Sequence, residues 1–233
     1  MSALSRGFSG RVIDLTCEAY NGMPTYPGDP PFRHEFVLTG SREGEVTLSR
    51  LEAGSHSGTH VDAPLHFIPG GLSVDRIPPE RLVLPADFVD LSYKRPKEAI
   101  TSRDLEGKVH AGRAAALYTG FSRLRGSEDY LHAWPYLSRD AADYLAGVGV
   151  GAVMTEAMSV SGWAGAKGYP WPPLVSEEEA AYVHVRLLSS GVIIVEGACN
   201  LGELASCRDP LLVIAPLKVR GAEGAMARVL ALC

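Results

Sequence analysis

The chain contains no glutamine, and asparagine occurs only as Asn21 and Asn200. So few thermolabile amides would suit a protein that works at high temperature. Its four cysteines, Cys17, Cys199, Cys207 and Cys233, are scattered and form no C-x-x-C pair. That argues against a thiolate zinc site and reads as free thiols rather than a disulfide frame. No apolar run approaches the roughly 20 residues of a membrane span, and Met1 to Gly10 lacks the hydrophobic core of a secretory leader. An excess of basic residues is missing too. With 22 Lys and Arg against 27 Asp and Glu, the net charge is −5, and no basic stripe offers itself to nucleic acid. These absences leave a soluble cytoplasmic protein with a small-molecule substrate as the expectation. At 233 residues and 46% hydrophobic content, the chain can build one sizeable core.

What is present concentrates in one stretch. Between Gly54 and Gly71 stand His56, His60, Asp62 and His66, in a segment otherwise small, apolar or turn-forming. Three imidazoles and a carboxylate are donors for a divalent ion. On a straight strand His56 and His60 would lie about 13 Å apart, too far to share an ion bound at about 2 Å. Gly58, Thr59, Val61 and Pro64 argue against a helix. A bend at Gly58 resolves the conflict, turning both imidazoles to one point, and Asp62 joins from the same side of an extended segment as His60. His66, just past Pro64, lies where a general base would be useful.

Along the rest of the chain, Arg11 to Thr16 reads as a strand, and Tyr20 to Pro31 as an irregular loop. Tyr26 in that loop reads as a turn aromatic or a substrate contact. His34 to Leu38 and Val46 to Glu52 alternate as a hairpin that would carry the metal segment. Leu82 to Leu91 holds two apolar bursts around Pro85, consistent with a short strand, and Ala114 to Gly120 another strand. A helix from Ser138 ends at Gly147 and feeds a buried strand from Gly151 to Thr155. Residues 161–173 form a loop rich in Gly, Pro and aromatics. Its Trp163, Tyr169 and Trp171 either wall a substrate pocket or pack at the surface. Ser176 with Glu179 opens a helix on which His184 shares a face with Ala180, Val183, Leu187 and Leu188. Alone, His184 would be a core histidine. Glu196, at the end of the apolar strand Val192 to Val195, costs several kcal/mol to bury unless it is paired or bound to metal. Leu211 to Leu217 and Met226 to Leu232 read as closing strands.

The run His56-Ser-Gly-Thr-His60-Val-Asp62-Ala-Pro-Leu-His66 resembles the H-x-G-T-H-x-D-A-P-x-H signature of the cyclase family of metal-dependent hydrolases, which includes bacterial kynurenine formamidases and isatin hydrolases. Ile13 to Thr16, Gly22 to Pro30, Thr119-Gly120, His184, Glu196 and Pro216 to Lys218 extend the likeness over nearly the whole chain. The resemblance implies a single α/β domain over residues 1–233, with a barrel-like mixed β core flanked by helices, of the swivelling β/β/α type. It also implies a homodimer or homotetramer. His56, His60 and Asp62 would hold one ion, and Asp62 would bridge to a second on His184 and Glu196. Zn²⁺ or Mn²⁺ suits such nitrogen and oxygen donors. His66 would be the general acid/base.

The implied reaction is hydrolysis of an amide, with N-formylkynurenine-type substrates first. A lactam, a lactone or a true cyclisation would use the same metal set, and a binding module without turnover is the reading from another class. Three features depart from the family pattern. Glu156 and Ser161 stand where aspartates are usual, and Gly224 to Arg228 lacks a common proline. His34, His110, His132 and the cysteines read as structural or surface residues.

Overall fold

The computed structural model describes residues 10–233, so the reading of the N-terminal segment as leaderless falls almost wholly outside the described residues. Twelve strands and three helices follow in the order β1 (Val12–Asp14), β2 (Arg33–Leu38), β3 (Leu48–Glu52), β4 (His60–Asp62), β5 (Val83–Asp90), β6 (Ala99–Ile100), α1 (Ser102–Leu105), β7 (Ala114–Tyr118), β8 (Tyr136–Leu137), α2 (Arg139–Val148), β9 (Ala152–Thr155), α3 (Glu177–Ser189), β10 (Ile193–Glu196), β11 (Leu211–Pro216) and β12 (Gly224–Leu232).

The main sheet runs β1-β12-β11-β5-β7-β9-β10-β4, and β4 also pairs with β12, which closes seven strands into a barrel with β1 appended. The neighbours β5, β7, β9 and β10 are parallel, and the remaining pairings of this sheet are antiparallel. The expected α/β fold with a barrel-like mixed core is therefore the fold observed.

Alternation along the strands sorts side chains to the two faces of this wall. Ala114 and Ala116 of β7, Ala152 and Met154 of β9, and Ala225, Ala227 and Ala231 of β12 point to one core, where small side chains let the barrel close. Ala115 and Leu117, Val153 and Ile194 point to the other, against Leu145 of α2 and Val183 and Leu187 of α3. Ser138 caps α2 by accepting from Ala141 N, and Ser176 caps α3 by accepting from Glu179 N.

Three expectations need correction. Helix α2 does not stop at Gly147 but runs to Val148 and ends at Gly149, whose φ of 76° gives the left-handed cap. The strand expected around Pro85 is β5, and it runs through the proline. Pro85 lies where β5 passes from pairing with β11 to pairing with β7, and so its missing N–H breaks no ladder. The hairpin does not carry the site: β2 and β3 form a separate two-stranded sheet, and the site stands on β4 inside the barrel wall. Finally, the cysteines are not free. Cys17 pairs with Cys199 and Cys207 with Cys233. A bridge between Thr16 and Ala198 and the Cys199 N to Leu15 O hydrogen bond set the first pair side by side, across 182 residues of sequence that give no spacing signal.

Candidate metal centre

The site lies where β4 crosses β10. Glu196, the last residue of β10, is the register partner of His60, the first of β4, and cross-strand partners have Cβ atoms about 5 Å apart. Asp62 follows two residues on, toward the same face. The chain enters β4 through the predicted bend, with Gly58 at φ 62°. Gly197 packs so closely on this bend that a Cβ there would meet Gly58 O at 2.4 Å. His184 comes from α3, its ring stacked on Phe67 with centroids 4.3 Å apart. Thus the two histidines and the aspartate of one motif meet the histidine and glutamate expected from a distant segment.

Three of the contacts have the spacing of atoms sharing an ion, and the fourth, between His56 and Asp62, has that of a hydrogen bond. His56 Nδ1 is 2.8 Å from Asp62 Oδ1, His60 Nε2 is 3.4 Å from Asp62 Oδ1 and 3.3 Å from Glu196 Oε2, and His184 Nε2 is 3.5 Å from Glu196 Oε1. Donors held at about 2.1 Å by one tetrahedral ion stand about 3.3 Å apart. His60 Nδ1 donates to Gly58 O at 2.9 Å, and His184 Nδ1 to Ala180 O at 2.8 Å. Each of these bonds assigns the proton to Nδ1 and aims Nε2 inward, as metal-ligating imidazoles require.

Burial makes the arrangement costly without a cation. His60, Asp62, His184 and Glu196 are each no more than 4% exposed. His56 Nε2, His60 Nε2 and Asp62 Oδ2 are buried without a hydrogen-bond partner. Burial lowers the His60 pKa, but the facing carboxylates of Asp62 and Glu196 outweigh it and carry the imidazole up to about 10. His184 is likewise drawn up by Glu196 against the effect of burial. The carboxyl groups move the other way: burial raises Asp62, but His56 and His60 hold it well below the usual range. Two sealed carboxylates demand positive charge, and the donor set fits a divalent ion. Two overlapping groups are close enough to ligate, His56 with Asp62 and His66, and His60 with Asp62 and Glu196.

These residues open on a cavity of about 260 Å³. His66 stacks on His56 at 4.0 Å between centroids, and burial lowers its pKa. Tyr26 lines the cavity, with burial and the charge of Glu196 raising its phenol to about 12. Trp163, Tyr169 and Trp171 are not among the lining residues. Trp163 is fully buried behind Tyr26, with ring centroids 5.6 Å apart; Trp171 meets it edge-on, and Tyr169 stacks on Trp171. Asp29, Phe67, Met158 and Ser159 line the cavity and were not singled out from the sequence. Asp29 lies inside the Gly22 to Pro30 run that carries the family likeness, and Met158 and Ser159 lie between the two departures Glu156 and Ser161. Of the departures, Ser161 lines the cavity, but Glu156 does not.

The Cyclase family model, described as "Putative cyclase", matches residues 13–161, and the chain belongs to this family. It is 30% identical over 216 residues to the kynurenine formamidase of Bacillus cereus, covering 93% of this chain and 94% of that one. Isatin hydrolase A from Ralstonia solanacearum superposes with a TM-score of 0.80 at 28% identity, over 95% of this chain and 91% of the other. A predicted metal-dependent hydrolase from Bacillus stearothermophilus gives 0.71 at 31% identity, over 96% and 98%.

Proposed function

We propose that the protein is a metal-dependent amidohydrolase that opens an arylformamide of the N-formylkynurenine type. The observation that carries this reading is the convergence of three histidines and two carboxylates around buried polar atoms that lack a protein partner. A bound divalent ion lowers the pKa of water to near 7 and polarises a carbonyl. His56, His60 and Asp62 would hold one ion, and His184 and Glu196 a second. With every cysteine paired, nitrogen and oxygen donors remain, which suit Zn²⁺ or Mn²⁺.

The chain's own residues supply the rest. His66 is the general base: its lowered pKa keeps the imidazole neutral near pH 7, ready to take a proton from water and return it to the leaving amine. Tyr26, protonated at that pH, offers an O–H from the cavity wall. Phe67 and Met158 give an apolar surface for an aryl ring.

Among the described residues no helix is long and apolar enough to cross a membrane. Two disulfides belong to an oxidising compartment or to the cytosol of a hyperthermophile, and the scarcity of amides favours the second. A cytoplasmic location is proposed on that ground. A homodimer or homotetramer is proposed because Phe36, Val37, Leu38, Leu48 and Leu51 on the β2–β3 hairpin are all more than half exposed. A second copy would cover that apolar surface, and light scattering tests it.

Assay of Zn²⁺- and Mn²⁺-loaded protein against an N-formyl arylamine, an isatin-type lactam and an aryl lactone tests the reaction. Formamide turnover with kcat/KM at least tenfold above the others is expected. Preference for the lactam would transfer the site to the second reading, which the likeness to isatin hydrolase A favours. Metal binding with no turnover of any of the three would leave the non-catalytic module.

A further inference from the structure

His56 has a carboxylate on each side. Its Nδ1 faces Asp62 at 2.8 Å, and its Nε2 lies 3.5 Å from Glu223 Oε1. Glu223 immediately precedes β12, outside every ligand set described above. Its carboxylate is not free to wander, because Ser55 Oγ donates to Oε1 at 2.5 Å, and its backbone carbonyl accepts from Ala63 N at 2.8 Å. The acid is thus tied to the residue just before His56 and to the residue just after Asp62.

The next residue keeps the ring in this slot. A Cβ on Gly224 would meet His56 Cε1 at 2.7 Å and Val61 O at 2.9 Å. The imidazole therefore lies close against the backbone at the start of β12, with one nitrogen toward the ligand cluster and the other toward Glu223. His60 and His184 have backbone carbonyls to fix their outward nitrogens. For His56 no carbonyl plays that part, and its Nε2 is among the buried atoms without a hydrogen-bond partner. Glu223 is the nearest acid on that side.

We propose that Glu223 is a positioning residue of the metal centre: its carboxylate, anchored by Ser55, accepts the Nε2–H of His56 and so commits Nδ1 to the ligand set. A carboxylate behind a ligating imidazole fixes its tautomer and raises its basicity. The inference rests on the metal-hydrolase reading, and it assigns Glu223 no contact with substrate. The competing role is a plain staple between the 54–58 turn and β12. Glutamine separates the two, since its amide oxygen can keep the Ser55 bond but carries no charge.

The test is competitive titration of metal-free protein with Zn²⁺ against a chromogenic chelator, in wild type, Glu223→Gln, Glu223→Ala and Asp62→Ala, with thermal unfolding of the metal-free forms alongside. Outer carboxylates of this kind are typically worth 10–100-fold in metal affinity. Glu223→Ala should lose about that much, and Glu223→Gln should fall between it and wild type, while the metal-free melting temperatures of both stay close to wild type. A Zn²⁺ affinity within about threefold of wild type in Glu223→Ala, with Asp62→Ala still abolishing binding, would overturn this inference alone. Full recovery of affinity in Glu223→Gln would overturn it in favour of the staple. Failure of wild type itself to bind Zn²⁺ would remove the metal reading and this inference together.

Discussion

Two buried glutamates end neighbouring parallel strands of the barrel, and they have opposite characters. Glu156 directly follows β9, is 1% exposed and accepts four hydrogen bonds. Thr119 N, Thr119 Oγ1 and Phe121 N share its Oε2 at 3.0–3.1 Å, and Ser122 Oγ reaches Oε1 at 2.6 Å. Its charge is met by donors, and it clamps the turn after β7. Glu196 ends β10, 4% exposed, and accepts one backbone donor, Val160 N at 2.7 Å, while facing His60, His184 and the like charge of Asp62. A buried carboxylate is therefore no signal of a site by itself. What distinguishes the site is a carboxylate whose surroundings leave positive charge still wanting.

The sharpest way to break this comparison is the same substitution at both positions. Glu196→Gln should strip metal from the protein and cut kcat/KM by on the order of 10³-fold or more, because a neutral amide ligates poorly and leaves Asp62 as the lone carboxylate. Glu156→Gln should retain full metal content. Its amide oxygen can take the three donors now on Oε2, and the Ser122 hydroxyl can turn to accept from the amide nitrogen. Glu156→Ala, by contrast, leaves the buried Thr119 N without an acceptor and Phe121 N with only Thr119 Oγ1 at 3.3 Å, and should cost about 2 kcal/mol of stability, read by urea unfolding. Elemental analysis across the three variants decides it. Metal loss in Glu156→Gln would erase the distinction.

The sequence makes these two acids look alike, since each follows a short apolar run, Ala152 to Thr155 in one case and Val192 to Val195 in the other. Their partners lie 34 or more residues away along the chain for Glu156, and the difference is visible only once β7 and β9 are adjacent. The bend at Gly58, the inward face of His184 and the end-of-strand position of Glu196 were legible because they depend on local backbone preference and periodicity. The disulfides were not, since nothing local couples Cys17 to Cys199. Nor was the cavity wall: Asp29, Phe67 and Ser159 come from three separate loops or turns, and only the closed barrel gathers them.

A second variant tests the division of labour inside the site. His66→Ala should lower kcat/KM by about 10²–10⁴-fold while leaving metal content at the wild-type level, as removal of a general base does. His66 also stands close enough to His56 and Asp62 to ligate. Loss of one ion per chain in this variant would therefore make it a ligand and take the base role from it. Either result refines the comparison, because it states how many positive charges the pair Asp62 and Glu196 draws in.

Asp104 shows a third way of meeting a buried charge, with a lysine. Lys94 Nζ lies 2.8 Å from its Oδ2, with the two side chains 7% and 14% exposed. Burial raises the carboxyl pKa, but hydrogen bonds from Lys94, Thr101 N and Tyr93 more than reverse this and hold it well below the usual carboxylate range. A group whose folded pKa is depressed contributes stability above its unfolded value, near 3.9, and loses that contribution as pH falls toward the folded value. Urea unfolding of wild type and Asp104→Asn should accordingly show wild type ahead at pH 7, with the gap intact down to about pH 4 and closing below it. The effect is the smallest of the three, because Glu98 at 3.2 Å still partners Lys94 in the variant. A gap independent of pH would mean that the pairing of Asp104 with Lys94 adds nothing beyond neutral hydrogen bonds, and would remove the lysine as a third way of meeting a buried charge.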